Sequence, residues 1–326
     1  MNAVRRRAIA LLALGLLAAC SSSTSHPGSA SQPAQRPTSA SGPAAPARPE
    51  AVLDGNGELA VGAGSVWLLA DAGKKSVVHR VDPASLKVVA TIPAGAGAVT
   101  VTFGAGAVWV PNGDDGTLTR VDPATNTART IKVGGEPFEV GTDAHSTWLV
   151  DASGKVERLN PATGVPIGRP FNFARYATYD FQALDCDIVV ESNALYVFTT
   201  GGASFRISLR NGAPAAVSKF RAAAVMAPDG KSLWVTDVDP DSLTKVDLAT
   251  GRVLLQRRAF GQTMVATANA LWYSNGYRVT ELNKQTGATI ATQTVGSSES
   301  NLGLAAGDGQ VWAFNIVDTT LVRVFP

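Results

Sequence analysis

All six tryptophans of the 326-residue chain, Trp67, Trp109, Trp148, Trp234, Trp272 and Trp312, occupy one position of an internal repeat. The interval between Trp148 and Trp234 is double the others, and Tyr196, in Asn193-Ala194-Leu195-Tyr196-Val197-Phe198, fills it. The seven aromatic positions are then 42, 39, 48, 38, 38 and 40 residues apart. A period near forty residues marks a small unit that cannot bury its own apolar face and must stack against copies of itself. Seven such units account for residues 51–326.

Each unit reads as four short strands. In the second, Val99 to Gly104 is apolar, Gly104-Ala105-Gly106 is a tight turn, and Ala107-Val108-Trp109-Val110 is a second strand. The polar stretch Asn112-Gly113-Asp114-Asp115-Gly116 leads to a third strand, Thr117 to Val121, with alternating side chains. Asp122-Pro123-Ala124-Thr125 turns the chain, Asp at the first position and Pro presetting the second, and Ala128 to Val133 is the fourth strand. The third strand and its turn recur as Arg80-Val81-Asp82-Pro83, Arg158-Leu159-Asn160-Pro161, Lys245-Val246-Asp247-Leu248 and Glu281-Leu282-Asn283-Lys284.

No sustained helical period occurs after residue 50. The expected fold is all-β, a seven-bladed β-propeller of four-stranded antiparallel blades. An open solenoid or a pair of sandwiches also uses short strands, but closure favours the propeller. The last unit stops after its third strand, Leu321 to Phe325, and Ala51-Val52-Leu53 is placed to supply the fourth.

The first fifty residues differ in kind. Arg5-Arg6-Arg7 precedes an uncharged run from Ala8 to Ala19, too short to span a bilayer comfortably. Leu17-Ala18-Ala19-Cys20 resembles the bacterial lipobox, which implies a signal peptide over 1–20 and a lipid, palmitate among its chains, on Cys20. Residues 21–50 are rich in Ser, Ala, Pro and Gly without an aromatic residue, so burial cannot offset their ordering entropy; a disordered tether is expected. Five of the 28 basic and one of the 26 acidic residues lie in 1–50, leaving 23 against 25 and a net charge of −2 for 51–326. That balance argues against nucleic acid as a partner. Cys20 and Cys186 are the only cysteines, so no disulfide staples the folded body.

The segments Gly-Ala-Gly-Ser-Val-Trp from 62, Gly-Ala-Gly-Ala-Val-Trp from 104 and the Arg-Val-Asp-Pro turns resemble exported bacterial propellers of the YVTN type. More distantly they are similar to streptogramin (virginiamycin B) lyase and NHL-repeat propellers. The lyase resemblance implies histidine and glutamate near the axis with a divalent metal. Only His79 and His145 lie in the body, one in a third strand and one in a loop before Trp148, so the pattern departs from that family where its chemistry resides.

Candidate site residues fall in the loops. Loops between second and third strands share a face with the blade-to-blade crossovers, and carry Asp71, Asn112, Asp114, Asp115, Asp151, Asp237, Asp239, Asp241, Asn275 and Asn315. Their oxygens suit Ca²⁺, although Asp, Asn, Gly and Pro are also what tight turns require. The longest repeat carries an insertion between Phe171 and Leu184 with Phe173, Tyr176, Tyr179 and Phe181, aromatic anchors for a partner or caps on the third and fourth blades. Cys186 reads as a small apolar residue on an inner strand. No cofactor is expected. The favoured function is a lipid-anchored binding or scaffolding propeller on the outer side of the cytoplasmic membrane, engaging a protein or cell-envelope partner through Tyr176, Tyr179, Phe181, Asp114, Asp151, Asp237 and Asp239. The rival is a metal-assisted lyase or hydrolase with an axial pocket.

Overall fold

The computed structural model describes residues 50–142, 147–172, 186–191, 194–199, 204–208, 214–216, 225–237, 242–259, 261–296 and 301–324. These form seven four-stranded antiparallel sheets, each a meander in sequence order except the last. Blade 1 comprises β2 (Leu59–Gly62), β3 (Ser65–Ala72), β4 (Lys75–Val81) and β5 (Val88–Pro93). Blade 2 comprises β6 (Thr102–Gly104), β7 (Ala107–Asn112), β8 (Thr117–Asp122) and β9 (Thr127–Lys132). Blade 3 has β10 (Pro137–Thr142), β11 (Thr147–Asp151), β12 (Lys155–Leu159) and β13 (Pro166–Asn172). Blade 4 has β14 (Cys186–Glu191), β15 (Ala194–Thr199), β16 (Ser204–Ser208) and β17 (Pro214–Ala216). Blade 5 has β18 (Val225–Asp229), β19 (Ser232–Asp237), β20 (Ser242–Asp247) and β21 (Val253–Arg258). Blade 6 has β22 (Thr263–Ala266), β23 (Ala270–Asn275), β24 (Arg278–Asn283) and β25 (Thr289–Thr294).

The seventh sheet joins both ends of the described chain. Its order is β26 (Leu302–Gly307), β27 (Gln310–Asn315), β28 (Thr320–Val324) and then β1 (Glu50–Val52). The register Glu50↔Val322, Ala51↔Leu321, Val52↔Thr320 supplies from the front of the fold the strand that the last repeat lacks. Pairing of this kind removes a sheet edge and ties sequence-distant strands together.

The inner strands form the ring. β2 neighbours β6, β6 neighbours β10, and β10 neighbours β14; β18 neighbours β22, β22 neighbours β26, and β26 returns to β2. Between blades 4 and 5 the link is made by Tyr196, packed with Leu233, Val235 and Val246. The repeat aromatic explains the stacking. Trp67 packs into a cluster with Val101, Val108 and Val110 of blade 2, and Trp109 with Leu149 and Leu159 of blade 3. Trp234 packs with Leu271 and Leu282 of blade 6, Trp272 with Val311 and Val322 of blade 7, and Trp312 with Val66 and Leu68 of blade 1. One large apolar side chain per repeat, reaching into the next blade, is the unit of cohesion, and deleting such a ring costs about 3–5 kcal/mol.

The turns after the third strands follow from their residues. Asp82 Oδ1 accepts from the Ser85 N–H at 2.7 Å, and Asp247 Oδ1 from the Thr250 N–H at 2.8 Å. The fifth turn position has positive φ and is Gly164, Gly251 and Gly287 in three blades, Asn126 in another and Leu86, at φ 57°, in the first. Glycine and asparagine are the residues that adopt this region readily.

Candidate functional site

Two faces follow from the meander. Loops from second to third strands and crossovers between blades lie on one, here the loop face. Loops from first to second and from third to fourth strands lie on the other, the turn face.

On the loop face the oxygens of blades 2 and 3 are largely committed to backbone amides. Asn112 is buried; its Oδ1 accepts from Gly95 N–H at 2.9 Å and its Nδ2 donates to Thr117 and Thr119 hydroxyls at 3.0 Å. Asp115 Oδ2 accepts from Ala96 N–H at 2.8 Å, pinning the crossover from blade 1 onto the blade 2 loop. Asp151 is buried, and its Oδ1 accepts from Ser153 N–H, the Ser153 hydroxyl and Lys155 N–H at 2.9, 2.6 and 3.0 Å, with the Lys155 ammonium 3.6 Å from Oδ2. Asp151 thus builds the turn between β11 and β12. Asp114 stands exposed beside these groups. Asp237 ends β19 opposite Ser242. Asp239, Asp241, Phe173, Tyr176, Tyr179, Phe181, His145 and Cys20 lie outside the described residues. The loop face therefore brings Asn112, Asp114 and Asp115 together and leaves Asp151 in a separate turn.

His79 sits on β4, the third strand out from the axis, its Nδ1 3.0 Å from the Thr91 hydroxyl on β5. Cys186 opens β14, an inner strand, as expected from the repeat. Around the axis, inner strands of neighbouring blades approach to backbone contact. A Cβ placed on Gly307 would lie 2.4 Å from the Val61 carbonyl oxygen, and one on Gly104 only 1.7 Å from Thr142 Oγ1. Thr263 Oγ1 donates to the Leu302 carbonyl at 2.9 Å, tying the start of β22 to that of β26. The inner-strand glycine Gly62 likewise faces the Phe103 ring of the next blade. Among the described residues no group of three His, Cys, Asp or Glu side chains gathers at metal-binding distance.

The turn face carries a recurrent arrangement. Register places a charged residue on the third strand directly opposite each repeat aromatic: Arg80 opposite Trp67, Arg120 opposite Trp109, Arg158 opposite Trp148, Arg206 opposite Tyr196, Lys245 opposite Trp234 and Arg323 opposite Trp312. The cation lies over the indole at 5.1 Å for Arg80, 5.5 Å for Arg120, 6.0 Å for Arg158 and 5.4 Å for Lys245, within the range where the ring quadrupole attracts it. Three of these cations also reach the second turn residue of the following blade. Arg80 Nη1 donates to the Pro123 carbonyl at 2.7 Å, Arg120 Nε to the Pro161 carbonyl at 3.0 Å, and Lys245 Nζ to the Lys284 carbonyl at 3.3 Å. The sequence showed the signal, a cation two residues ahead of the turn Asp or Asn at Asp82, Asp122, Asn160 and Asp247; read for its turn alone, that motif concealed a clamp between blades.

Blade 6 breaks the rule with Glu281 opposite Trp272. Burial raises the Glu281 carboxyl above its ordinary value. At the junction of blades 5 and 6 an acid joins the cations: Asp229 Oδ2 lies 2.7 Å from Lys245 Nζ and its Oδ1 2.5 Å from Lys284 Nζ, which also donates to the Thr267 carbonyl at 2.6 Å. Burial pushes the Asp229 carboxyl up, but the hydrogen bonds from Lys245 and Lys284 more than reverse this, and it is held below the usual range.

No protein-family model and no curated protein matches this chain. Among solved structures it is similar to BamB from Moraxella catarrhalis, with 14% sequence identity and a TM-score of 0.54 over 83% of this chain and 82% of that one. At such identity the likeness is one of fold: the described residues between 50 and 324 form an all-β propeller of four-stranded antiparallel blades.

Proposed function

We propose that the chain is a binding or scaffolding propeller, seven-bladed and extracytoplasmic, held to the outer side of the cytoplasmic membrane by lipid on Cys20 and engaging a protein or cell-envelope partner through its loop face. The observation that carries this reading is the construction of the ring. Glycines on the inner strands seat one blade directly against the next, Gly307 on Val61, Gly104 on Thr142 and Gly62 on Phe103, a rigid frame from which the loops project. The place of β1 is compatible with a tether: Glu50, its first residue, lies on the outer strand of blade 7. The connection that carries Tyr176, Tyr179 and Phe181 leaves β13 at Asn172 and re-enters at Cys186, both at the loop face, beside the blade whose Asp151 fixes the neighbouring turn. Aromatic anchors with a polar surround are what a protein-binding patch uses.

The test is cross-linking in intact cells. Cys20→Ser is expected to move the protein from the membrane fraction to the soluble extracytoplasmic fraction. Replacing Tyr176, Tyr179 and Phe181 with alanine, alone or with Asp114→Ala, is expected to abolish the captured partner while the thermal midpoint stays within about 2 °C. An unchanged set of cross-linked partners from the combined variant overturns the loop-face assignment.

A further inference from the structure

The outer strands differ in one place. The residue opposite the third-strand charge is small or apolar in five blades: Ala90 opposite Arg80, Ile167 opposite Arg158, Ala215 opposite Arg206, Leu255 opposite Lys245 and Ala291 opposite Glu281. In blade 2 it is Arg129, opposite Arg120. Residues directly opposite in an antiparallel pair leave the sheet on the same side, with Cβ atoms about 5 Å apart, and like charges there destabilise the sheet. Arg129 is exposed. Among the described residues neither arginine has a carboxylate within ion-pair distance. Arg120 uses Nε alone on Pro161, whereas Arg80 uses Nε on Ser65 and Nη1 on both Pro123 and Asn126. Asp122, two residues from Arg120, is turned to the Ala124 N–H.

A second, independent observation falls on the same strand. The outer strands β5, β13, β21 and β25 each contain a register shift against their neighbour, and in three of them the displaced residue is an exposed Val89, Leu254 or Ile290. Bulges of this kind spoil an edge as a template for another strand. β9 has none: its six residues pair without interruption from Thr117↔Lys132 to Asp122↔Thr127, while β17 and β1 are three residues each. Blade 2 therefore presents an unbroken six-residue edge, with Arg129 and Lys132 exposed on it and no acid.

We propose that this edge of blade 2 receives an extended acidic segment of a partner protein, which pairs its main chain with β9 while a carboxylate is gripped between Arg120 and Arg129. Strand addition of this kind takes affinity from main-chain hydrogen bonds and specificity from alternate side chains, and two guanidinium groups on one side of a sheet favour a planar anion. The surface is the rim, distinct from the loop face, so the two assignments fail separately.

The probe is a fluorescent heptapeptide of alternating valine and glutamate, titrated into the purified full chain and followed by anisotropy. Binding is expected, with Arg129→Ala weakening it at least about tenfold, equivalent to roughly 1.4 kcal/mol, and leaving the thermal midpoint unchanged or raised because a like-charge pair is gone. Arg169→Ala, an exposed cation on the rim of blade 3, is expected to leave it intact. The same peptide with glutamine for glutamate, or with alternate backbone amides methylated, is expected to bind poorly. Absence of binding, equal binding by the glutamine peptide, or full affinity in Arg129→Ala overturns the clamp. Undiminished binding of the methylated peptide, or full competition by acetate at matched carboxylate concentration, overturns the strand addition.

Discussion

Blades 1 and 5 join their successors from the same place in the repeat by different chemistry. Arg80 lies over Trp67, receives no help from an acid among the described residues, is held within its own blade by Nε on Ser65, and closes onto blade 2 through Nη1 to Pro123 and Asn126. Lys245 lies over Trp234 and touches blade 6 through one long bond to the Lys284 carbonyl. An ammonium is a compact charge that cannot reproduce the fan of donors a guanidinium offers. At this junction Asp229 supplies what the lysine lacks, bridging Lys245 to Lys284 and through it to Thr267. The geometric lock of blade 1 is replaced in blade 5 by an electrostatic one, which brings sensitivities the first does not have.

The largest effect that separates them is expected from Asp229→Ala. It leaves two ammonium groups in a mostly buried site without a counter-charge, a loss of about 3 kcal/mol that lowers the thermal midpoint by roughly 6 °C. Differential scanning calorimetry decides it, and a change under about 1 kcal/mol would reduce the triad to a surface ion pair. Arg80→Ala is expected to cost less, about 1–2 kcal/mol, because truncation leaves carbonyls that water can reach and removes one cation–π contact. Arg80→Lys should recover the stacking without the fork, so equal stability of lysine and arginine there would contradict the contrast drawn between the two blades.

The contrast also shows where the sequence was readable. Trp67, Trp109, Trp234 and Trp312 announced blade stacking because burial of a large apolar group recurs with the period of the fold. The strand completing blade 7 was legible in Ala51-Val52-Leu53, since a missing fourth strand leaves one edge to fill; the observed strand is Glu50–Val52, with Leu53 donating just beyond it to the Thr319 carbonyl at 2.8 Å. The side-chain roles were less legible. Asp151 has the composition of a ligand and the hydrogen bonds of a turn, a distinction that depends on where two amides and a hydroxyl point. The clamp formed by Arg80 and Arg120 depends on contact between residues more than forty positions apart, which a repeat suggests only once its register is known. Asp229 is further still, at the end of a first strand with no counterpart motif.

Acid should act on the two junctions differently. Asp229 is held ionised below the ordinary carboxylate range, so its contribution is complete at pH values above about 4 and drains away as the pH falls through its lowered folded value. Asp229→Asn is therefore expected to be less stable than the parent at pH 7, with the gap narrowing as the pH drops below 4. The gap for Arg80→Ala should stay constant over the same range. Midpoints measured from pH 7 to pH 3 test this, and parallel curves for Asp229→Asn and its parent would contradict it.

The smallest effect sharpens the comparison most, because it concerns the blade where neither lock exists. Blade 7 takes its outer strand from β1, so no turn joins β28 to a fourth strand and no turn carbonyl faces blade 6 for a cation to meet. Glu281 stands there instead, and burial makes its folded form bind a proton more readily than the unfolded chain does. The sign is opposite to that of Asp229: the penalty is present at neutral pH, above the raised folded value, and lifts as the pH falls through it toward the ordinary carboxylate range. Glu281→Gln is expected to raise the midpoint at pH 7 slightly, by less than about 0.5 kcal/mol equivalent for a partly exposed group, and to match the parent at pH 4. A Glu281→Gln variant that loses stability at pH 7 would show that the carboxylate has a donor in blade 7, making this junction a third kind of lock in place of a gap in the series.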